Sequence, residues 1–351
     1  MTRNRWLGPF LNLGHLLDHL VMLVFPTAVV ALGREWGRPY SELLPLALGG
    51  FIAFGAFAAI YHPVGIAMLV AKSANMGRTL GWNGLWGNLG LAAAALFTGA
   101  LVDVAGWRAA FFVPGLICIA AGVGFLLLVD DPGKVKKTSR TIGLHIEGRT
   151  MARIFAVLLI ATACGGIIFN STTVSMPKVF DERLQALTQT NFGIGVLVAV
   201  VYTVAAFAQV AMGALIDRFE LKRLLVGVAV AQIPLLALAA NTQGWAMLGA
   251  AVLMMLAVFG QIPLNDAIVG RYCADEYRAR VLSVRYVVSL GVASVAVPMI
   301  AVLHRTAGGF ANVFLVLSFL ASAMLLASLF FPSRDALAAS KLRAAQPAAA
   351  S

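Results

Sequence analysis

The chain has 351 residues, 60% of them hydrophobic and only 12% charged, with a net charge of +11. Soluble domains carry about 25% charged residues, so a water-facing globule is excluded. Apolar stretches of roughly 20 residues, each long enough to cross a bilayer, recur along the whole length. Lipid offers the backbone no partners and these stretches do not alternate as barrel strands do, so the spans are expected to be helices.

The first apolar run, 10–32, has spanning length and no small-residue cleavage site, so it is expected to persist as a helix rather than be removed as a signal peptide. It carries His15, Asp18 and His19. From Leu43 to Lys72 the chain has no charged residue before Lys72 apart from the titratable His62. Further spans are expected at 82–104, 109–129, 152–174, 192–216, 223–240, 245–269, 281–303 and 310–331, about ten in all, with ends good to a few residues. A polar, basic linker at 131–150 divides a first bundle, 1–130, of about four helices from a second, 151–333, of about six. The Ala-rich tail, 334–351, is expected to be disordered or frayed.

The basic charge is distributed by topology. With the N-terminus inside, 20 Lys and Arg fall in inner loops and 6 in outer ones, making up the 26 present. That bias puts both termini in the cytoplasm and argues for contact with anionic lipid heads rather than nucleic acid. Cys118, Cys164 and Cys273 have no spacing that suggests a metal site or disulfide framework and read as small core hydrophobes.

Several landmarks carry a family resemblance. Gly213-Ala214-Leu215-Ile216-Asp217-Arg218-Phe219-Glu220-Leu221-Lys222-Arg223 resembles the loop motif G-x-L-x-D-R-x-G-x-K/R-K/R of the major facilitator superfamily, departing from it at Glu220. Gly106-Trp107-Arg108 resembles the short outer turn before that family's sixth helix, and Gly308-Gly309-Phe310 sits where a second repeat would echo it. Tyr61-His62-Pro63, then Gly77-Arg78, then Gly84 to Gly90, together with Gly14-His15-Leu16-Leu17-Asp18, resemble the fosmidomycin-resistance type of drug exporter. Val64 stands where that branch has Glu.

The resemblance implies two halves of six helices. Here His62-Pro63 would belong to a fourth helix while Leu43 to Gly55 reads as the start of a second. About two helices, on the order of 50 residues with their connections, would then be missing. A fused helix over 43–72, joined near Ala56, keeps the direction of all that follows. It is read as an in-frame internal deletion or defective gene model; the alternative is a ten-helix relative. The row Gly81, Gly84, Gly87, Gly90 should permit close helix approach. With a neighbour missing, that face is expected to meet lipid or another protomer.

An ionisable group inside a membrane helix marks a functional site by default. His15, Asp18 and His19 are close enough on one helix to neighbour each other. They read as a proton-coupling site, as a polar cluster near the headgroups, or as a metal site from H-x-x-D-H that lacks a further ligand nearby. His62 is a candidate contact for solute or proton, or a helix–helix hydrogen bond beside the Pro63 kink. Gln261, Pro263, Asn265 and Asp266 form a polar, kinked patch that Asn170 and Gln209 could face. Asp266 reads as a second coupling carboxylate or as an ion-pair partner of Arg271 or Arg285. Gly213, Asp217, Arg218, Lys222 and Arg223 would form a gate, because a carboxylate at a helix end can pair in one conformation only. Asp103 reads as an interfacial residue at an outer helix end.

There is no H-E-x-x-H, G-x-S-x-G or Walker loop, so no enzyme and no cofactor are expected. The resemblance implies a monomeric secondary transporter of the bacterial cytoplasmic (inner) membrane, exporting a small organic solute by proton-coupled antiport. The alternative is a non-transporting membrane protein left by the deletion.

Overall fold

The computed structural model describes residues 6–46, 61, 64–65, 68–69, 76–129, 148–273, 275–306 and 309–345. Among these residues it is helical, without strands. The helices are α1 (Leu7–Trp36), a single turn α2 (Tyr40–Leu43) running into a 3-10 turn (Leu44–Leu46), α3 (Met76–Ala105), α4 (Trp107–Leu128), α5 (Gly148–Arg183), α6 (Asn191–Arg218), α7 (Leu221–Asn241), α8 (Gly244–Tyr272), α9 (Asp275–Thr306), α10 (Phe310–Leu329) and α11 (Arg334–Ala345). Nine of them, α1 and α3 to α10, are long and apolar enough to cross a membrane. The expected span over 43–72 enters as the 3-10 turn; its described residues Tyr61, Val64, Gly65, Met68 and Leu69 are helical, and the rest, His62 included, lie outside the described residues.

The helices outrun the spans expected from sequence. α5 has 36 residues, about 54 Å at ~1.5 Å each, against a hydrocarbon core of ~30 Å. Hydropathy marks the lipid-facing part, whereas backbone hydrogen bonds carry a helix on into polar sequence. Residues 148–150, placed in the linker by composition, are the first turn of α5. Two left-handed glycines set tight turns: Gly106 (φ 80°) joins α3 to α4 and Gly309 (φ 90°) precedes α10. A side chain at either would be strained.

The tail corrects an expectation. Residues 334–345 are helical rather than frayed. The Ser333 hydroxyl accepts from the Ala336 amide at 3.3 Å, and Ala is the strongest helix former. Leu337 packs against the core cluster of Leu221, Leu225 and Phe331.

α1 and α3 lie parallel, with His15 and Leu16 beside Gly87 and Gly90. α3 and α6 are antiparallel and touch along most of their length, from Gly81 at Gln209 to Gly99 at Asn191. That stretch is about 27 Å of helix, nearly the ~30 Å of hydrocarbon. The glycine row therefore does not meet lipid or a second copy, as sequence suggested. A three-residue spacing drifts by roughly 60° per step on a helix of 3.6 residues per turn. Its start thus faces α6, where a Cβ on Gly81 would lie 2.9 Å from the Gln209 carbonyl. Its end faces α1, where a Cβ on Gly87 would lie 2.7 Å from the His15 ring.

Two ends of the bundle follow from these directions. One carries the ends of α1, α3 and α5 and the start of α6; we term it the latched end. The other carries the starts of α1, α3 and α5 and the end of α6; we term it the basic end. The largest apolar core fills the latched half and draws on both halves of the chain, from Leu23, Val29 and Leu91 to Phe180, Ile194, Met254 and Phe314. Among the described residues, the cores nearer the basic end draw their buried members from 154 onward, including Ile154, Ile216, Leu264 and Met324.

Candidate functional site

A cavity of about 220 Å³ lies between the helices, reached by α1, α3, α5, α6, α8 and α9. His15, Asp18 and His19 line it from α1, Asn170 from α5, Gln209 from α6, and Gln261, Asn265 and Asp266 from α8. Asn83, Asn88, Thr162 and Arg285 line it too. Its walls belong to the basic-end half of α1, α3, α6 and α8, under the apolar core of the latched half.

His15 is buried and held on three sides. Its Nδ1 lies 2.8 Å from the Asn83 carbonyl, so the proton sits on Nδ1 and donates there. Its ring stacks on Tyr61 (centroids 5.1 Å apart) and meets His19 edge-on at 4.8 Å. Tyr61 in turn donates to the Leu11 carbonyl at 2.7 Å and accepts from the Asn83 amide at 3.2 Å. A helix side chain that lost any of these would leave a polar atom buried, which costs about 1–3 kcal/mol.

Arg285 and Asp266 form an ion pair at the cavity wall, with side chains only 9% and 14% exposed. The 20 basic residues assigned to inner loops include Arg285, which the structure instead buries within α9. Of the two pairing partners considered for Asp266, Arg285 is the one engaged, while Arg271 donates to the Ile216 carbonyl at the end of α6. Gln261 is committed to structure: it accepts from Gln232 at 2.9 Å and donates to the Ala161 carbonyl at 3.3 Å. Asn170 donates to the Gly166 carbonyl at 2.8 Å. Among the described residues no three His, Cys, Asp or Glu side chains gather as metal ligands, so H-x-x-D-H does not converge on an ion.

The latched end is tied across the two halves. Arg34 of α1 pairs with Asp181 of α5 and donates to Asn191 at 3.3 Å. Asp103 of α3 accepts from the Phe192 amide and from the Asn191 side chain, both at 2.7 Å. It thus caps the N-terminus of α6, where a carboxylate is favoured by the unpaired amides and the helix dipole. Tyr40 packs edge-on against His304 and Phe310, and His304 pairs with Glu182 at 2.9 Å. The basic end differs. Asp217 and Arg218 close α6 at exposed positions, and among the described residues neither forms an ion pair. Glu220, at the motif's variant position, pairs with Arg223 at 3.6 Å on the surface.

A model of the Major Facilitator Superfamily matches residues 13–188 and 160–350. The chain belongs to the major facilitator superfamily. Among solved structures it is similar to a bacterial homologue of the human lysosomal transporter Spinster in an inward-facing, occupied conformation, with a TM-score of 0.63 at 14% identity over 98% of this chain and 97% of that one. It is similar also to the human organic anion transporter MFSD10, with a TM-score of 0.60 at 14% identity over 93% of this chain and 83% of that one. At such identities the likeness concerns the fold. A probable hexose phosphate transport protein of Chlamydia muridarum is 38% identical over 66 residues, 18% of this chain, and one of Chlamydia trachomatis is 36% identical over 66. The match spans only 13% of the length of each of these relatives.

Within this superfamily member, eight of the candidates read from sequence share one cavity: His15, Asp18, His19, Asn170, Gln209, Gln261, Asn265 and Asp266. Gly213, Asp217, Arg218, Lys222 and Arg223 lie apart from it at the basic end. Sequence reasoning passed over Asn83, Asn88, Thr162 and Arg285 as cavity residues. The two asparagines carried a signal, being amides within a 30-residue apolar helix. Arg285 carried one as well, a charge five residues inside an expected span.

Proposed function

We propose that this chain is a secondary transporter that exports a small organic solute by alternating access in exchange for protons. The observation that carries the reading is the gathering of His15, Asp18, Gln209 and Asp266 around one cavity between the two halves of the chain. Asp18, which lines the cavity from the same helix as His15 and His19, is the proton-coupling carboxylate. His15 and His19 tune it; Asn170, Gln209, Gln261 and Asn265 line the solute path. The chain acts as a monomer in a bacterial cytoplasmic membrane, both termini inside, so the basic end faces the cytoplasm. In this conformation the outer gate is shut by Arg34, Asp181 and Asp103. Asp217, Arg218, Lys222 and Arg223 would latch the inner gate in the opposite one, with Gly213 allowing the helix approach. His62 lines the path from the span outside the described residues.

The first half is proposed to be shortened by an internal deletion from an ancestor of the fosmidomycin-resistance type. α1 and α3 run the same way, which one return crossing within 43–72 satisfies. A second reading, a non-transporting remnant, draws on α4, whose Phe111, Phe112, Val113 and Ile117 are exposed on more than one face. Proteoliposomes decide between them. An imposed pH gradient should drive solute flux in the parent chain, and Asp18→Asn should abolish that drive while exchange between labelled and unlabelled solute continues. No flux of any solute across a broad panel would favour the remnant.

A further inference from the structure

We infer that the solute held by this cavity is a neutral, polyhydroxylated molecule, a polyol or monosaccharide, read by amide and hydroxyl groups from both halves of the chain. The inference rests on the proposed transport reading. It deepens that reading through the hydrogen-bonding capacity left over in the cavity wall.

Asn88 of α3, Thr162 of α5 and Asn265 of α8 all line the cavity and are 1%, 3% and 7% exposed. Both polar atoms of the Asn88 amide, the Thr162 hydroxyl and the Asn265 Oδ1 have no hydrogen-bond partner among the described residues. Folded proteins pair nearly all such atoms, and here several lapses fall on one cavity. Gln209 adds a fourth polar side chain, 2% exposed and seated against Gly84, where any Cβ would collide with its amide.

The chemistry of these groups is neutral and mixed. Amide nitrogens donate, amide oxygens accept, and the Thr162 hydroxyl does both. A solute hydroxyl also does both, so a molecule bearing several of them can satisfy the whole set. With Asp18 assigned to the proton, the remaining charges of the cavity point away from an ionic solute. Arg285 and Asp266 already neutralise each other, and an ion that displaced either would leave the other buried without compensation. Size agrees: about 220 Å³ falls below the roughly 300–1,000 Å³ of pockets for drug-sized ligands. Asn88 comes from the first half of the chain and Thr162, Gln209 and Asn265 from the second, so one solute would bridge the elements that must move.

The test is calorimetric binding to the purified full chain in lipid nanodiscs, with glucose, xylitol and myo-inositol as probes and glucose 6-phosphate and choline as charged counter-probes. At least one neutral probe should bind saturably. Thr162→Val, which keeps the shape and removes only the hydroxyl, and Asn88→Leu should each weaken binding about three- to tenfold. Unchanged thermal unfolding would show that the variants fold. Saturable binding confined to the charged probes, no binding of any neutral probe, or neutral binding untouched by both variants would overturn the inference. Counterflow in proteoliposomes separates it from the transport reading. A polyol that binds without counterflow defeats transport and leaves the inference standing; counterflow of a charged probe alone does the reverse.

Discussion

The two ends of the bundle are held by different means. At the latched end an apolar core shared by both halves of the chain lies behind Arg34–Asp181 and the Asp103 cap on α6. Toward the basic end the buried apolar clusters among the described residues belong to the second half, and Asp217 and Arg218 stand exposed. Closure is thus mostly burial, which scales with apolar area, while the polar contacts fix register. The arrangement suits a bundle whose halves part at one end and stay joined at the other.

The largest expected effect concerns cohesion below the cavity. Arg285→Ala leaves Asp266 buried without its cation, at a cost on the order of 3 kcal/mol. Thermal unfolding in detergent should show a clear fall, largely recovered by the double change Asp266→Leu with Arg285→Met. The latched-end geometry should not move. An Arg285→Ala protein as stable as the parent would deny that the pair matters.

Next comes the close contact of α3 and α6. Gly99→Val drives a side chain into the Asn191 carbonyl, and such overpacking costs about 1–3 kcal/mol. Spin labels at the exposed positions Glu35→Cys and Gln185→Cys should report a longer separation across the latched end. Gly227→Ala on α7, where a Cβ meets nothing within 4 Å, should leave that distance alone. Equal responses would erase the difference between a packed seam and an open face.

Arg34→Ala should act more weakly. Arg34 is 45% exposed, and pairs of that kind contribute about 0.5–1 kcal/mol, a two- to fivefold shift in the closed population. The same label pair would read it. A shift as large as that of Gly99→Val would make the ion pair, rather than the apolar core, the true closure.

Asp217→Asn should be the smallest effect on this conformation, within about 0.5 kcal/mol as for other exposed positions. Its effect belongs to the opposite conformation: transport should slow while membrane insertion and thermal stability stay unchanged. Unaltered transport rates would remove the gate role.

Much of the fold was legible because lipid imposes a simple rule. Runs such as 109–129 must be helical when no water can satisfy their backbone, and Gly106 and Gly309 were legible as landmarks of the family resemblance, which the structure shows to be turns at positive φ. The cavity was partly legible for a related reason. Asp18, His15 and Asp266 are costly in a membrane helix, so their presence flagged a site. Arg285 misled because a charge near a span's edge reads equally as loop or interior until its partner is known. The tail misled because composition weighs its alanines as unstructured surface, whereas Ser333 and Leu337 supply a cap and a docking contact.

The sequence by itself determined that this chain is a helical membrane protein, where its described spans lie, and which landmarks it shares with the major facilitator superfamily. Only the tertiary structure decided that the glycine row turns from α6 to α1, that Asp266 takes Arg285 rather than Arg271, and that Asn88 and Thr162 line one cavity. The physical reason is range. Hydropathy and helix period act within a segment, whereas a pairing between α8 and α9 or a cavity shared by α3 and α5 depends on how whole helices rotate against each other. No local pattern encodes that rotation; side-chain packing along the full length of the helices sets it.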